Sequence, residues 1–452
     1  MNKVTINNNT HIILGFGQSG LSCARYFDRI NQSYRILDTR EMVSGVEEII
    51  KLTACLSFQF GNLTNSLLDG CVQLVVSPGV SLNTPIVQYA LSQGIDVCGD
   101  VEIFVRNCHK PIVAITGSNG KSTVTDLTDK LLNSSAIKSQ KGGNIGLPVL
   151  DFLPEDHADI YVLELSSFQL DTTKSLRAKV AVILNITEDH LDRYNSFDEY
   201  AESKHKVYVN ADSCIYNYDD QLTYPKNTSI KDKAFSVLVE HANKFPGLSY
   251  IKRTKNNFDL MVNNKNILSS EQLKLTGKHN LANVLVSLNI LNSLAIEIDN
   301  QILNVLKKYE GLAHRFQLVT RKNNCEWIND SKATNVGATI AAIKSISNEK
   351  QQLILIAGGD SKQNDLRLLI KPFEQNVNEL ILLGKDASLL ANLTSKVSHH
   401  FVKDMKQAVI KAKTLVNGFS IVLLSPACAS LDMYKNFEER GNEFINAVRE
   451  CA

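Results

Sequence analysis

The amino-acid sequence predicts an α/β protein with three domains and mostly parallel sheets, and three observations carry this prediction. Short apolar runs alternate with helical patterns along almost the whole chain, which is typical of successive strand–helix–strand units. The 452 residues are 44% hydrophobic, enough for each of about three domains to bury a core. Two glycine-rich segments, at residues 15–20 and 117–123, each join an apolar run to a helical pattern. We therefore expect domains at residues 1–99, 100–311 and 312–452.

Composition and charge exclude several classes of protein. The formal net charge is +1 and lysine and arginine do not cluster, which argues against a nucleic-acid partner. No apolar run approaches the roughly 20 residues of a membrane span, and the polar N-terminus lacks a signal-peptide apolar region. The nine cysteines are scattered without a C-x-x-C pair, which fits a reducing compartment. We expect a cytoplasmic protein without a membrane span, and we expect it to act as a monomer.

The first domain begins with a glycine-rich turn in the stretch HIILGFGQSG. Gly15, Gly17 and Gly20 have the spacing of a dinucleotide-binding fingerprint, in which a helix N-terminus faces a phosphate. Further apolar runs in SYRILDTR, VQLVVSPGV and GIDVCGD predict more strands, and hence a Rossmann-like domain. Asp38 follows Gly20 at the distance of a ribose partner in a dinucleotide fold. The turn predicts a phosphate site, and at this point the identity of the phosphate ligand stays open.

The central domain begins with KPIVAITGSNGKST, an apolar strand followed by a glycine-rich loop and a helical pattern. In such a loop the backbone N–H groups surround phosphate oxygens, Lys121 would contact the terminal phosphates, and the Ser122 hydroxyl would bind Mg²⁺. The usual pattern has a glycine at the position of Ile115, and a tight turn with a surface lysine is the alternative. The order of strand, loop and helix favours a P-loop-type ATP site at Gly117, Ser118, Asn119, Gly120, Lys121, Ser122 and Thr123.

A lysine in the middle of an apolar helical stripe is the second feature of the central domain. Ser196 and Glu199 have capping-box spacing, and a helix from there places Lys204 among apolar side chains. A buried ammonium should have a lowered pKa or a partner, although a lysine that reaches the surface is the alternative. Glu164 and His190 follow two apolar runs, where parallel strands have their carboxyl ends. Together with the loop, they predict Mg²⁺–nucleotide chemistry at one sheet edge.

The remaining patterns complete the domain plan. The stretch FDLMVNNKNIL predicts a β-hairpin, and GKHNLANVLVSLNILNSL predicts a helix that closes the central domain. The third domain begins near GLAHRFQLV, and its strands are expected in QQLILIAGG, ELILLGK and FSIVLLSPA.

Taken in order, the motifs resemble those of the Mur ligases of peptidoglycan synthesis over nearly the whole chain. The resemblance rests on GFGQSG with DTR, SPGV, TGSNGKST, GGNIG, ELSSFQL, NITEDHLDR, YAESK, GKHNLAN, HRFQ, DSKATN, AGGDSK and SPACASLDMYKNFEERG. Any one of them is a weak signal, but so many in the order of one family are not expected by chance. The family has a shorter phosphate loop, which accounts for Ile115. The resemblance implies Rossmann-like first and third domains on either side of an ATP-binding domain.

The resemblance also implies the reaction and the binding residues. The expected reaction joins D-glutamate to UDP-N-acetylmuramoyl-L-alanine, consumes ATP and passes through an acyl phosphate. At the UDP precursor the resemblance places Gln18, Ser19, Asp38, Thr39, Arg40, Ser77, Pro78, Gly79, Asn144 and His190. At ATP it adds Asn280, Asn283, Arg315, Asp330 and Lys332. At D-glutamate it places Lys332, Thr334, Lys362, Ser430, Leu431 and Phe437.

Four catalytic residues are implied, namely Lys121, Glu164, His190 and Lys204. In the family the lysine of YAESK is carbamylated, which would turn Lys204 into an anion. Two Mg²⁺ ions are expected, because the γ-phosphate and a carboxylate must be brought together. Ser122 and Glu164 would hold one ion, and Glu164, His190 and the carbamylated Lys204 would hold the other.

Three other functions stay open at this point. One is a related amide ligase, either a Mur-type ligase for another amino acid or a folylpolyglutamate-type ligase. Another is a nicotinamide-dependent oxidoreductase, which GFGQSG and Asp38 would fit but which has no use for TGSNGKST. The last is a nucleotide-gated binding module without turnover. The addition of D-glutamate accounts for more of the motifs than any of these, because the resemblance in ELSSFQL, DSKATN and SPACASLDMYKNFEERG separates it from ligases for other amino acids.

Overall fold

The computed structural model describes residues 10–43, 46–153, 157–189, 193–226, 231–238, 241, 247–255, 257–275, 277–346, 351–361 and 365–451. His190 and Lys362, two of the expected site residues, lie outside the described residues. Three separate sheets occur in chain order, and most of their strands are parallel. This confirms the predicted α/β class with mostly parallel sheets. No helix in the described part of the chain is long and apolar enough to cross a membrane.

The first sheet has five parallel strands in the order β3-β2-β1-β4-β5. Its elements are β1 (Thr10–Leu14), α1 (Gln18–Arg29), β2 (Tyr34–Asp38), α2 (Val46–Ile49), β3 (Cys55–Phe60), β4 (Cys71–Val76), α3 (Pro85–Ser92) and β5 (Asp96–Cys98). The predicted strands are present, and β3 is an additional edge strand. The sequence analysis relied on continuous apolar runs and missed β3, because apolar and polar residues alternate in CLSFQF and most of them are exposed.

The central sheet has nine strands in the order β14-β13-β12-β11-β10-β9-β6-β8-β7. Its elements are α4 (Asp100–Asn107), β6 (Ile112–Thr116), α5 (Lys121–Ser134), β7 (Ser139–Gly143), β8 (Ile160–Glu164), α6 (Ser167–Asp171), β9 (Val180–Ile183), α7 (Phe197–His205), β10 (Ser213–Asn217), β11 (Lys231–Ser236), β12 (Ser249–Arg253), β13 (Phe258–Val262), β14 (Lys265–Ser269), α8 (Lys278–Ser293) and α9 (Asn300–Lys308). The predicted hairpin is the antiparallel pair β13–β14. Asn263 and Asn264 form its turn with positive φ angles, which asparagine tolerates better than most residues.

The third sheet has six strands in the order β15-β16-β20-β17-β18-β19, and only the β15–β16 pair is antiparallel. Its elements are β15 (Gln317–Lys322), β16 (Cys325–Asn329), α10 (Val336–Ile346), β17 (Gln352–Gly358), α11 (Ile370–Asn376), β18 (Glu379–Leu383), α12 (Ala387–Ala391), β19 (Ser398–Phe401), α13 (Met405–Leu415), β20 (Ser420–Leu424) and α14 (Phe437–Cys451). Helices pack on both faces, and Trp327, Phe373 and Phe444 are buried between the layers.

One hydrophobic core joins the first and central sheets. Phe104 of α4 packs edge-on against Tyr161 of β8, with ring centroids 5.2 Å apart, and Phe152 stacks on the same tyrosine. Arg25 of α1 also forms an ion pair with Asp151, at 2.5 Å. These contacts orient the first sheet relative to the carboxyl ends of the central strands, where the polar motif residues lie.

Candidate active site

The glycine-rich turn after β1 opens onto a cavity of about 630 Å³, here called the first-domain cavity. The turn, the ends of β2 and β4 and a central-domain segment at residues 143–148 line it. All of the described residues expected at the UDP precursor lie on its wall: Gln18, Ser19, Asp38, Thr39, Arg40, Ser77, Pro78, Gly79 and Asn144. His190 cannot be placed in this way, since it lies outside the described residues.

The turn requires glycine for two different reasons. Gly15 has a φ of +92°, and the Ser77 hydroxyl donates a hydrogen bond to its carbonyl oxygen at 2.6 Å. A Cβ atom on Gly20 would lie 2.1 Å from the same carbonyl oxygen, so α1 could not pack so closely against the turn. At Gly17 a Cβ would meet nothing within 4 Å. The spacing therefore combines two packing glycines with one glycine that faces open space.

The carboxylate oxygens of Asp38 accept hydrogen bonds from other groups of the protein. Its Oδ2 accepts the Phe16 N–H at 2.7 Å, and Arg40 contacts both carboxylate oxygens, at 2.9 and 2.6 Å. Burial alone would raise the pKa of Asp38, but the hydrogen bonds from Arg40 and Phe16 outweigh it and lower the pKa. This pairing with Arg40 distinguishes the site from a dinucleotide fold, in which the carboxylate is free to bind a ribose.

A second cavity, of about 330 Å³, lies between the central and third domains and is here called the interdomain cavity. The central domain lines it with residues of the loop after β6 and with Asn280 and Asn283 of α8. The third domain contributes Arg315, Asp330 and Lys332. The structure thus brings together residues expected at ATP that are far apart in sequence and belong to two domains.

The loop after β6 turns on two glycines with positive φ, Gly117 and Gly120. A Cβ on Gly120 would lie 2.7 Å from Asn283 Oδ1, so α8 approaches the loop closely because this residue is glycine. Lys121 Nζ bends back and donates to the Gly117 and Ser118 carbonyl oxygens, at 2.8 and 3.0 Å. Burial lowers the pKa of Lys121. The 14-residue helix α5 starts at this lysine, so its N-terminus faces the loop.

Three residues that sequence reasoning did not select brace this loop. Asn185 Oδ1 accepts the Asn119 N–H at 2.8 Å, and Asn185 Nδ2 donates to the Asn119 carbonyl oxygen at 3.0 Å. Ser118 Oγ exchanges hydrogen bonds with the Thr187 backbone and lies 3.0 Å from the Tyr200 hydroxyl. Asn185 and Thr187 belong to the NITEDHLD stretch, so their position after β9 was the available signal.

Glu164, at the end of β8, lies between the two cavities. Its Oε1 accepts a hydrogen bond from Asn144 Nδ2 at 2.8 Å, and Asn144 lines the first-domain cavity. Gly143 permits this contact, because a Cβ there would lie 2.4 Å from the Glu164 carbonyl oxygen. Glu164 Oε2 is buried and has no hydrogen-bond partner among the described residues. A buried carboxylate oxygen without a donor is suited to a hard cation such as Mg²⁺.

Lys204 is 2% exposed, as its place on the apolar stripe of α7 predicts. Its Nζ donates to the Gly117 carbonyl oxygen at 3.2 Å and lies 4.5 Å above the Tyr200 ring. Burial, with help from Lys121, holds the pKa of Lys204 well below its usual value. The predicted capping box is only half formed: Ser196 accepts from the Glu199 N–H, but the Glu199 carboxylate binds the Asn195 N–H instead. In a full capping box this carboxylate would accept the Ser196 N–H.

Arg315 reaches across the interdomain cavity to the loop. Its Nη2 donates to Ser122 Oγ at 2.6 Å, although the two residues are 193 positions apart. Asp330 accepts from the Phe316 N–H and the Ser425 hydroxyl, and burial raises its pKa to about 7. Burial and the neighbouring Arg315 lower the pKa of Lys332 to about 8. This side of the cavity is therefore rich in cations close to the phosphate loop.

The residues expected at D-glutamate lie on the carboxyl-end loops of the third sheet. Lys332 Nζ lies 4.0 Å above the Phe437 ring at the start of α14. Thr334 follows in the same loop as Lys332, Ser430 is buried in the loop after β20, and Leu431 is exposed. Lys362, in the loop after β17, lies outside the described residues. Among the expected D-glutamate residues that the structure describes, only Lys332 lines one of the two cavities.

His279 is a further residue of the interdomain cavity that sequence reasoning passed over. It belongs to the GKHNLAN stretch and packs edge-on against Phe316, with ring centroids 4.9 Å apart. Burial lowers its pKa to about 4, so the imidazole is neutral near neutral pH. It joins the start of α8 to the third domain.

Within the described residues, no group of three His, Cys, Asp or Glu side chains is arranged to hold a metal ion. The metal set expected from the sequence includes a serine hydroxyl and a modified lysine, which are not among these residue types, and His190, which lies outside the described residues. Of that set, Ser122 lies in the loop and accepts a hydrogen bond from Arg315, and Glu164 Oε2 is buried without a donor among the described residues. The chemistry of this oxygen fits a cation, and the number of ions stays a prediction.

Comparisons with known proteins match all three domains. Residues 9–99 match the family "Mur ligase MurD-like, N-terminal domain", residues 115–291 match "Mur ligase middle domain", and residues 314–428 match "Mur ligase, glutamate ligase domain". A UDP-N-acetylmuramoylalanine–D-glutamate ligase of Pseudoalteromonas translucida is 42% identical over 447 residues, 98% of either chain. Ligases of the same name from Haemophilus ducreyi and Shewanella oneidensis are 40% identical over 97% and 98% of this chain and of their own lengths.

Solved structures share the three-domain fold at low sequence identity. A MurF ligase of Thermotoga maritima in complex with ADP has a TM-score of 0.62 and 14% identity, and the match covers both chains completely. A pseudomurein peptide ligase type C of Methanothermus fervidus has a TM-score of 0.61 and 18% identity, covering 98% of this chain and 100% of the other. At these identities the likeness concerns the fold alone.

Proposed function

The chain belongs to the Mur ligase family, and on that premise we propose that it adds D-glutamate to UDP-N-acetylmuramoyl-L-alanine at the expense of ATP. The names of relatives at 40–42% identity over nearly the whole chain support this choice of substrates. The observation that carries the proposal is the Asn144–Glu164 hydrogen bond, which links the wall of the first-domain cavity to a carboxylate whose charge acts on Lys121 of the phosphate loop. A carboxyl group in one cavity and a γ-phosphate at the other can meet only at such a junction.

The first-domain cavity would bind the UDP part of the precursor. The N-terminus of the 12-residue helix α1 and the backbone near Gly17 would face the diphosphate, since a helix N-terminus favours negative charge. Asp38, Thr39 and Arg40 stand at the end of β2, on the wall of this cavity, and would hold the nucleoside. Asn144 and His190 would approach the muramoyl part. The precursor carboxylate would then lie toward Glu164.

ATP would bind in the interdomain cavity with its β- and γ-phosphates on the loop of residues 117–123. Lys121 would leave the loop carbonyls for the phosphates, and Arg315 would neutralise charge on the γ-phosphate. Asn280 and Asn283 of α8 and Asp330 of the third domain would hold the nucleoside part. The amides of the loop and these cations act on charge that develops during phosphoryl transfer, which is where preorganised donors contribute most.

The chemistry requires an activated carboxyl group, because a carboxylate is anionic and lacks a leaving group. A carboxylate oxygen of the precursor attacks the γ-phosphorus of ATP, which gives an acyl phosphate and ADP. The amine of D-glutamate then attacks the acyl carbon, phosphate leaves with the bonding electron pair, and the new amide nitrogen loses a proton. The protein forms no covalent bond to substrate, so positioning and charge neutralisation carry the catalysis.

Mg²⁺ fits the junction and would supply charge neutralisation between the γ-phosphate and the carboxylate. We propose that Ser122 and Glu164 hold one ion and that Glu164, His190 and a carbamylated Lys204 hold a second. A neutral, buried amine is able to add CO₂, and the buried Lys204 with its lowered pKa suits that modification. With ¹³C-labelled bicarbonate, a carbamate resonance should appear in the wild type and be absent from Lys204→Arg. Identical spectra would contradict the modification.

D-glutamate would bind at the carboxyl-end loops of the third sheet, next to the interdomain cavity. Lys332, Thr334 and Lys362 would face its carboxylates on one side. Ser430, Leu431 and Phe437 would shape the pocket on the other. Because UDP-N-acetylmuramoyl-L-alanine and D-glutamate are precursors of peptidoglycan, we place the activity in the cytoplasm, where it would serve cell-wall growth, cell shape and division.

Phosphate release tests the proposal directly. The wild-type protein with ATP, Mg²⁺ and UDP-N-acetylmuramoyl-L-alanine should release phosphate with D-glutamate, and mass spectrometry should find the precursor extended by one glutamyl residue. L-glutamate, D-aspartate and meso-diaminopimelate are the matched alternatives for the amino acid. Equal rates with D- and L-glutamate, or a faster rate with another amino acid, would refute the substrate assignment. A fluorescence change with NADH in place of ATP would favour the oxidoreductase instead.

A further inference from the structure

Arg440, in the first turns of α14, is a buried cation of the third domain that has no acidic partner. Its side chain is 2% exposed, and among the described residues no carboxylate lies within ion-pair distance of it. Burial lowers its pKa to about 10, so the guanidinium stays charged near neutral pH. A buried charge of this kind is costly unless its hydrogen bonds are well satisfied.

The guanidinium donates hydrogen bonds to three segments that lie at the carboxyl ends of strands. Nε and Nη2 donate to Ser331, to its hydroxyl at 3.0 Å and its carbonyl oxygen at 2.9 Å. Nη1 donates to the carbonyl oxygens of Gly358 and Cys428, at 3.4 and 3.2 Å. Ser331 follows β16, Gly358 ends β17 and Cys428 follows β20. The Ser331 hydroxyl also donates to the Phe437 carbonyl oxygen at 2.8 Å, which ties in the start of α14.

These four segments also carry the residues expected at the amino-acid substrate. Lys332 and Thr334 follow Ser331, and Lys362 lies four residues after Gly358. Ser430 and Leu431 follow Cys428, and Phe437 begins the helix that holds Arg440. The Arg440 side chain is thus bonded to loops that would surround D-glutamate, and its guanidinium hydrogen bonds go to Ser331, Gly358 and Cys428 rather than to the expected contact residues that the structure describes.

We propose that Arg440 is a positioning residue for the amino-acid substrate, which holds the three loops and the start of α14 in the register that D-glutamate requires. This inference rests on the proposed function. Only arginine supplies donors in a planar fork that reaches three carbonyl groups and a hydroxyl at once, whereas a lysine ammonium is a point charge with fewer and differently directed donors. The role therefore depends on the shape of the guanidinium as well as on its charge.

The nucleotide side of the third domain has separate supports, so loss of Arg440 should act selectively. Asp330 is held by the Phe316 N–H, by the Ser425 hydroxyl and by its own N–H to the Leu424 carbonyl oxygen. Helix α14 is also anchored elsewhere, because Phe444, Ala447 and Val448 are buried in the core around Trp327. Asn329 donates to the Gly441 carbonyl oxygen at 3.1 Å. The helix should therefore stay docked in an Arg440 variant.

Steady-state kinetics of Arg440→Lys and Arg440→Ala test the proposal, with Arg449→Ala, on the exposed part of the same helix, as the matched control. We expect the KM for D-glutamate to rise about tenfold or more in both variants, as loss of charge-assisted hydrogen bonds typically causes. The KM values for ATP and the UDP precursor should stay within about twofold of the wild type. Methylguanidinium should restore part of the D-glutamate affinity to Arg440→Ala, which retains the space for it, and not to Arg440→Lys.

An unchanged KM for D-glutamate in folded Arg440→Lys would overturn the proposal, as would an equal rise in all three KM values. If Arg440→Ala does not fold, the lysine variant decides alone, because it retains the charge and most of the volume. Failure of the proposed function would look different: the wild type itself would then release no phosphate in response to D-glutamate. The control variant separates both outcomes from a general effect of changing α14.

Discussion

Two glycine-rich turns connect a strand to a helix in this protein, and they lie at the edges of different sheets. The turn after β1 contains no cation, and its neighbour at the end of β2 is the Asp38–Arg40 pair. The loop after β6 contains Lys121 and receives Arg315 from another domain. Both turns aim a helix N-terminus at a cavity. We therefore expect the side chains from neighbouring strands and domains, rather than the backbone of the turn, to distinguish a turn that binds a diphosphate from one that binds a reacting phosphate.

Replacing Lys121 with alanine should have the largest effect, because it should affect the loop after β6 and leave the turn after β1 unchanged. We expect ADP formation to fall about 10³-fold, because a cation at developing phosphate charge is lost. Binding of the UDP precursor, measured by calorimetry, should be unchanged, since the first-domain cavity does not use this residue. Lys138→Ala, an exposed lysine beyond the same helix, is the control. Loss of precursor binding together with activity would mean that the two sites are not separate.

Glu164→Gln should affect the junction between the two turns. The variant can still accept the Asn144 hydrogen bond but loses the negative charge of the buried, unpartnered oxygen. The Mg²⁺ concentration for half-maximal activity should therefore rise, by roughly tenfold or more. A magnesium titration of phosphate release measures this change. An unaltered Mg²⁺ dependence with reduced activity would show that Glu164 acts other than through the cation.

Two glycine substitutions separate packing from ligand contact in the first turn. Gly20→Ala should destabilise the protein by about 2 kcal/mol, because the new Cβ would overlap the Gly15 carbonyl oxygen. Gly17→Ala has free space around it and should leave the melting temperature near that of the wild type. It should raise the KM for the precursor if a phosphate approaches this backbone. A Gly17→Ala variant with normal stability and a normal KM would place the diphosphate elsewhere.

The acidic groups of the two cavities should respond oppositely to pH, and this is the smallest expected effect. Burial raises the pKa of Asp330 to about 7, so its contribution to stability is present at low pH and is lost as the pH rises through about 7. Relative to Asp330→Asn, the wild type should lose about 1 kcal/mol of unfolding free energy between about pH 6 and pH 7.

Asp38→Asn is the matched control for the pH experiment. The pKa of Asp38 is lowered, so its contribution is fully present above its unfolded pKa and is lost only as the pH falls through acidic values. The difference between wild type and Asp38→Asn should therefore be constant over the same interval. Chemical denaturation at several pH values measures both. Parallel curves for Asp330→Asn and wild type would contradict the raised pKa of Asp330.

The strands that sequence patterning predicted are those with buried, continuous apolar runs, such as β6, β8 and β20. It missed β3, which is exposed along most of its length, and β7, whose sequence SQKGG contains no apolar side chain. Both lie at sheet edges, where each pairs with one neighbour. The sequence analysis also made no prediction for β10 and β16, which are buried inside their sheets but have polar residues among their apolar ones. Continuous apolar runs therefore identify only some of the strands.

The local order of apolar runs, glycines and polar motif residues was sufficient to predict the α/β class, the two glycine-rich turns and the family. That information is local, because the φ angle of a glycine or the stripe of a helix depends on a few neighbouring residues. The contacts that make the site come from positions far apart, such as Arg315 to Ser122, Asn144 to Glu164 and Arg440 to three loops. Only the tertiary structure decided these, because the packing of whole sheets and helices sets which strand ends meet.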